Sequence, residues 1–315
     1  MLQAAISSDI DTLAGIYKGR GCTRPGGYSY AELRSGLEAF DRFLEPYGIK
    51  ATLFMVGDDF RHELNHAAIR AMAGRGHEIA NHSLTHAQGF RLLSTAEQEA
   101  EIAGMEELCL AVTGRRPVGF RSPGWNMSDG AASILQRRGY LYDSSVHPTV
   151  LMPLLKFLHW KSMSSRSGGE RTTMGHLHYI FAPTSPYRCG PDGLGRRGRG
   201  GLIEFPVTVT PLLRLPFFAT FLLASGLPLF ERSLRALVRR GLPIQFMFHL
   251  SDFVDYTLPE FADQMPSGAH GVYIPQALKV PLTQKIDLFR RAVDLLAEQC
   301  SFSTLETQAR LMDLA

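Results

Sequence analysis

Gly76-His77-Glu78-Ile79-Ala80-Asn81-His82-Ser83-Leu84-Thr85-His86 is the stretch from which the fold is read. Its first half has the look of a short buried strand, and the residues after it set two histidines four apart. Two imidazoles at that spacing converge on one point from a helical turn or a tight loop, a common way to present two nitrogen ligands to zinc or a similar metal. Eleven histidines in 315 residues also produce such pairs by chance, so two polar loop residues are the plain alternative. What decides between them is the order in which the rest of the chain supplies the missing pieces.

Upstream, Met1 to Ile6 reads as a strand running to two carboxylates, Asp9 and Asp11. Residues i and i+2 of a strand share a face, so both can aim at one place; a turn or helix N-cap is the competing reading. Gly19 to Tyr28 is a Gly/Pro-rich loop, and Tyr30 to Tyr47 has helical periodicity through Leu33, Leu37, Phe40, Phe43 and Leu44. Ala51 to Gly57 is a buried strand ended by glycine, with a helix over 61–75. Downstream, Thr95 to Thr113 is helical, opening on Thr95-Ala96-Glu97-Gln98 as a capping box and stopping at Gly114.

A strand at Val118 to Phe120 then leads into Arg121-Ser122-Pro123-Gly124-Trp125. A helix around Ala131 to Arg138 precedes Tyr140 to Ser145, a strand and then a turn. Further strands fall at Leu202 to Val207 and Ile244 to His249, before a helix at Thr283 to Gln299 and a short tail from Phe302. This alternation predicts an α/β fold of βα units, a parallel sheet or barrel. Such barrels build sites at the C-terminal ends of their strands, where Asp9, Asp11, His82, His86, Arg121, Asp143 and His249 all fall.

With 45% hydrophobic and 20% charged residues, the chain is an ordinary folded protein, and no linker divides it, so residues 1–315 read as one domain. That domain carries an irregular insertion at about 150–200, rich in Ser, Gly and Arg, and an apolar segment at 211–230. A net charge of +3 is too small to imply a nucleic-acid partner. Cys22, Cys109, Cys189 and Cys300 are far apart and read as reduced thiols. The N-terminus shows neither a basic n-region nor a long apolar stretch before Asp9, which predicts a cytoplasmic protein.

Together these residues fit metal-assisted amide hydrolysis. Asp11, His82 and His86 would give one oxygen and two nitrogen ligands to a single divalent metal, leaving positions for water and a carbonyl. Asp9 would be the general base, its charged form favoured and oriented by Arg121. His249 would protonate the leaving amine.

The order Ser-Asp-Ile-Asp-Thr, His-Ser-Leu-Thr-His, Phe-Arg-Ser-Pro-Gly-Trp, Tyr-Asp-Ser-Ser and Phe-Met-Phe-His resembles the polysaccharide deacetylase (NodB-homology) family, over roughly residues 4–150 and 200–310. The resemblance implies an incomplete (β/α)7-type barrel that removes N- or O-acyl groups with zinc, or with cobalt, nickel or manganese in its place. It also implies Asp9 as base, Asp11, His82 and His86 as ligands, His249 as acid, and the Gly124 N–H as an oxyanion donor. Trp125 would line the sugar pocket, and Asp143 would tune His249; a core tryptophan and an ordinary Asp-Ser-Ser turn are the alternatives. Two departures stand out. Ile10 separates the aspartates, as in the branch of allantoinase-like proteins and lipid-linked sugar deformylases, and Gly124 replaces the aromatic that often follows the motif's proline.

For substrate, the reading favours deacetylation or deformylation of an amino sugar on a polyprenyl phosphate, a cell-envelope glycan precursor at the inner membrane face. Leu151 to Leu155, Leu212, Leu213 and Leu215 to Phe230, with nearby arginines including Arg196, Arg197, Arg199 and Arg214, resemble an interfacial anchor for anionic lipid; a helix buried against the barrel is the alternative. A soluble carbohydrate or other linear-amide deacylase is the competing enzyme. A non-catalytic sugar-lipid binding protein is the competing class.

Overall fold

The computed structural model describes residues 1–18, 28–87, 89–162, 175–190, 193–262 and 278–314. Most of the Gly19 to Tyr28 loop, part of the insertion, Cys22 and His270 lie outside the described residues.

Among the described residues, ten strands form the sheet: β1 (Leu2–Ile10), β2 (Thr52–Met55), β3 (Glu78–Asn81), β4 (Gly119–Phe120), β5 (Tyr142–Asp143), β6 (Tyr187–Gly190), β7 (Gly193–Arg197), β8 (Ile203–Glu204), β9 (Ile244–His249) and β10 (Cys300–Phe302). β1 pairs in parallel with β9 over Ala4–Asp9, with β2 over Ser7–Ile10 and with β10 over Leu2–Ala4. A strand has two edges, so β9 takes one, while β2 and β10 divide the other. The parallel series continues through β3, β4, β5 and β8. The order β9-β1-β2-β3-β4-β5-β8 thus puts seven parallel strands into a curled, incomplete barrel, as the alternation predicts.

The main core lies between this sheet and its outer helices. Phe40 and Phe43 of helix Tyr30–Leu44, Phe246 and Phe248 of β9, Phe253 and Phe289 pack edge to face in it. A smaller inner cluster, Phe54, Ala80, Tyr142, Phe205, Leu305 and Ala309, fills the barrel. Gly119 is bare for a steric reason: a Cβ there would sit 1.9 Å from the Tyr142 ring. That ring must cross Gly119 to bring its hydroxyl to Glu78 Oε1 at 2.6 Å.

Three expectations are corrected, and for the apolar segment one of the two open readings is favoured. Helix Thr95–Thr113 is capped one residue earlier than expected: Ser94 accepts from the Glu97 N–H, and Glu97 returns a bond to the Ser94 N–H. Ser94 supplies the same hydroxyl chemistry as Thr95, so the pattern alone leaves the register open.

The insertion is not irregular throughout. It holds a helix (Met152–Ser162), a 3-10 turn (Leu177–Phe181), and β6 and β7, which pair antiparallel and extend the sheet from β8. The tail is structured too. β10 joins β1, and helix Leu305–Asp313 closes the barrel where β2 and β3 begin, with the Leu305 N–H donating to Thr52 Oγ1 and the Glu306 N–H to Glu78 Oε2.

Finally, most of the apolar segment at 211–230 is core: Phe217, Phe218, Ala219, Leu222, Leu227 and Phe230 are buried. Phe217 stacks on Phe230 at 4.7 Å. Gly226 breaks the run into helices Ala219–Ser225 and Leu227–Arg239, and among the described residues no helix is long and apolar enough to cross a membrane.

Candidate active site

β1 delivers Asp9 as its penultimate residue, and Asp11 follows one residue past its end. His82 and His86 hang from a loop after β3, so of the two routes to an i, i+4 pair the chain takes the tight loop. The loop is held on both sides. Asn81 accepts from the Ser83 N–H at 2.8 Å and donates to Ile102 O, while Glu101 accepts from the Thr85 N–H and hydroxyl. The Gly57 and Asp58 N–H groups donate to Ser83 O and Leu84 O at 3.0 and 2.7 Å. Ser83 (φ 68°) and His86 (φ 53°) are left-handed, a conformation that costs non-glycine residues and persists where the surroundings fix it.

This loop turns both imidazoles onto Asp11. Asp11 Oδ1 lies 3.3 Å from His86 Nε2 and 3.5 Å from His82 Nε2, and one ligand atom from each residue falls within 4.8 Å of the others. The Arg121 carbonyl is 2.7 Å from His82 Nδ1 and fixes its tautomer: Nδ1–H donates, leaving the Nε2 lone pair facing Asp11. Burial alone would raise the Asp11 carboxyl, but His86 and His82 outweigh it and hold the group below the ordinary carboxylate range. Burial pushes His82 down, toward the neutral form that ligates metals. Among the described residues, Asp11 Oδ1 is buried and meets no donor at hydrogen-bond geometry. One carboxylate oxygen and two imidazole nitrogens fit zinc or a similar divalent ion.

Around this trio sit the expected catalytic groups. Arg121, fully buried, donates from Nη1 to Asp9 Oδ1 at 2.5 Å. Its other nitrogens donate to the Ser144 carbonyl and hydroxyl, and its guanidinium lies 3.9 Å above the Phe54 ring, so Asp9 faces a rigid cation. His249 is the direct register partner of Asp9 across β1 and β9. Its N–H donates to Asp252 Oδ2 at 2.8 Å, and its Nδ1 lies 3.5 Å from Thr220 Oγ1. Behind that turn, the buried Lys285 ammonium donates to Ser251 O and Val254 O.

Gly124 and Trp125 form a 3-10 turn with both φ values positive, 60° and 56°. The Trp125 N–H is committed to Ser122 O at 3.0 Å. The Trp125 ring packs on Phe218 and, at 4.6 Å, on His147.

Asp143 does not join this group. It accepts from the Ser145 hydroxyl and N–H at 2.7 and 3.1 Å and sits beside Glu204, and among the described residues it has no bond with His249. Topology explains this: β5 is separated from β9 by β1, β2, β3 and β4. Burial raises both Asp143 and Glu204, the latter well above the usual range with Asp143 adding to the rise.

Sequence reasoning does not single out His147. It is fully buried against Trp125 and Phe218, held down to about 3 by that burial, with neither ring nitrogen bonded among the described residues. Its position two residues past Ser145 was the available signal.

Residues 27–142 match the family model for polysaccharide deacetylase. The matched stretch includes His82, His86, Arg121 and Gly124; Asp9, Asp11 and His249 reach the site through β1 and β9 from outside it. A peptidoglycan deacetylase-like protein of Gibberella zeae is 29% identical over 147 residues, covering 45% of this chain and 43% of that protein. A peptidoglycan deacetylase of Helicobacter pylori is 26% identical over 149 residues, covering 45% and 48%. The match therefore spans less than half the length of either relative. Among solved structures, a Mycobacterium smegmatis protein described as a polysaccharide deacetylase superposes with a TM-score of 0.59 at 16% identity, covering 98% of this chain and 88% of that one. The allantoinase Puue gives 0.58 at 14%, covering 98% and 89%. Both share the fold.

Proposed function

We propose that this chain, whose residues 27–142 are a polysaccharide deacetylase domain, hydrolyses the N-acyl group of an amino sugar with the help of one divalent metal. The observation that carries this is the convergence of Asp11, His82 and His86 beside the Asp9–Arg121 ion pair and its register partner His249. A metal held by Asp11, His82 and His86 would polarise the acyl oxygen and acidify water when bound. Asp9, oriented by Arg121, takes the proton of the attacking water. The Gly124 N–H donates to the oxygen on which charge develops, and His249 passes a proton to the departing nitrogen. A non-catalytic binder would need neither the base nor the acid.

A lipid-linked sugar is the favoured substrate, and deformylation stands beside deacetylation. The support is a rim of exposed apolar side chains on three connected segments. Leu212 and Leu213 are 78% and 65% exposed, Phe181 is 85%, and Phe157 and Leu154 are 54% and 51%. Arg214 ties the segments by donating to Ile180 O and Ala182 O while its own carbonyl accepts from Thr149. Segments 144–162, 175–190 and 205–230 contain no carboxylate, which suits an anionic headgroup or polyprenyl phosphate at a membrane face.

Free-amine release tests both readings: an N-acetyl sugar on a polyprenyl phosphate, the same sugar as a soluble glycoside, added zinc, and Asp9→Asn as control. Release from the lipid-linked form alone supports the full proposal. Release from the glycoside alone removes the lipid. No release from either, with zinc bound, removes the deacylase.

A further inference from the structure

Arg91, Lys156, His176 and His178 gather near the Gly124 turn, and the reaction as described uses none of them. Arg91 lies in a 3-10 turn (Phe90–Leu92) five residues past His86, and Lys156 on helix Met152–Ser162. His176 and His178 sit at the start of the turn Leu177–Phe181, on which that helix packs. The two histidine rings are 4.7 Å apart. His176 Nε2 donates to Met127 O at 2.6 Å, and the Arg91 N–H donates to Asn126 Oδ1 at 3.0 Å. Burial, with the charges of Arg91, His178 and Lys156, holds His176 down to about 4, and burial with Arg91 lowers Lys156.

Such a cluster is costly unless a negative charge joins it. Among the described residues none of the four pairs with a carboxylate, and two buried donors, Arg91 Nε and Asn126 Nδ2, meet no acceptor. Three of the four side chains belong to the carboxylate-free segments 144–162 and 175–190. The missing partner is an anion.

The surroundings say which anion. Asn126 follows Gly124 by two residues, and the Gly175 N–H beside His176 donates to Gly124 O at 2.9 Å, so the cluster adjoins the turn assigned above to the acyl oxygen. Leu154 and Phe157 flank Lys156, and Leu177 and Phe181 flank His178, all four exposed. A lipid-linked sugar presents sugar, phosphate and apolar chain in a line, and the cluster stands between an acyl site and an apolar rim. Arg offers phosphate a planar fork and Lys a point charge. We propose that Arg91, Lys156 and His178 bind the phosphate that joins the amino sugar to its lipid. The inference rests on the lipid-linked deacylase reading above and deepens it.

The test is steady-state kinetics of the zinc-loaded protein on three forms of N-acetylglucosamine: the methyl glycoside, the 1-phosphate and the polyprenyl-phosphate-linked sugar. A charge-assisted bond to phosphate predicts a KM about tenfold or more lower for the 1-phosphate than for the methyl glycoside. Any further gain in the lipid-linked form belongs to the apolar rim. Lys156→Gln is expected to cut that ratio, Lys156→Gln with Arg91→Gln to erase it, and Lys156→Arg to keep it. Equal KM values for the two soluble sugars, or a ratio unchanged in both Gln variants, would overturn the phosphate site and leave the deacylase standing. Should the lipid-linked sugar alone react, an unchanged KM for it in the double variant would overturn the site in the same way. Hydrolysis of none of the three would overturn the deacylase reading itself and the site with it.

Discussion

Gly57→Ala should loosen the metal site without touching a ligand. A Cβ on Gly57 would lie 2.8 Å from Leu84 Cδ1, 3.0 Å from Leu84 Cα and 3.1 Å from Leu84 O. Leu84 sits midway between His82 and His86, so two of these three contacts are with the backbone of the ligand loop. Ordinary contact begins at 3.4 Å, and the loop would have to retreat by about 0.4 Å. It is tied in place by the Gly57 and Asp58 N–H bonds to Ser83 O and Leu84 O, so retreat stretches both. A metal site tolerates about 0.2 Å in its ligand distances, and supporting-residue changes typically cost ten- to hundredfold in affinity.

We expect zinc affinity, measured by chelator competition, to fall about tenfold or more, together with about 1–3 kcal/mol of stability from overpacking. Gly104→Ala is the matched control. Its Cβ would also crowd Leu84, at 2.7 Å, but only at the Cδ2, Cδ1 and Cγ atoms of the side chain. A methyl group can rotate away where a backbone cannot, so this variant should lose stability and keep most of its zinc affinity. Wild-type zinc affinity in Gly57→Ala, or equal losses in the two variants, would refute the claim that Leu84 transmits packing to the histidines.

Other substitutions test other parts of the site. Asp59, pushed up to about 8 chiefly by burial against an ordinary 3.8, binds a proton in the folded state that the unfolded chain has already released. Its contribution is full below about 3.8 and is lost as pH rises toward 8, at up to about 1.4 kcal/mol per unit. Asp59→Asn should therefore flatten the decline of melting temperature over that window, and an unchanged slope would show that another group sets it. Lys285→Met leaves Ser251 O and Val254 O without their buried donor; a loss of about 2–5 kcal/mol in denaturant unfolding is expected. Leu212→Ser with Leu213→Ser should release the protein from anionic vesicles in a flotation assay while zinc content stays unchanged. Retention on the vesicles would move the lipid contact off this rim.

The parallel barrel was legible because each strand carries its own signal, a buried apolar run ended by glycine or by a polar motif, as at Thr52–Met55 and Ile244–His249. The convergence of Asp11, His82 and His86 was legible because a carboxylate and two imidazoles have chemistry few other roles require, and because strand ends gather at one rim. What stayed hidden depends on pairs of residues remote in sequence. β10 is three residues long, and only its place beside Leu2–Ala4 makes it a strand. Asp143 and His249 have suitable chemistry for each other, and the strand order keeps them apart. Glu78 looks like a surface residue of a short strand. It is buried and raised to about 7 by that burial, with Thr52, Tyr142 and the Glu306 N–H bonded to it. That one carboxyl joins β2, β3, β5 and the last helix at the end of the barrel away from Asp11, His82 and His86. The site rim can thus hold strained loops because the opposite end is closed by bonds no local pattern reveals.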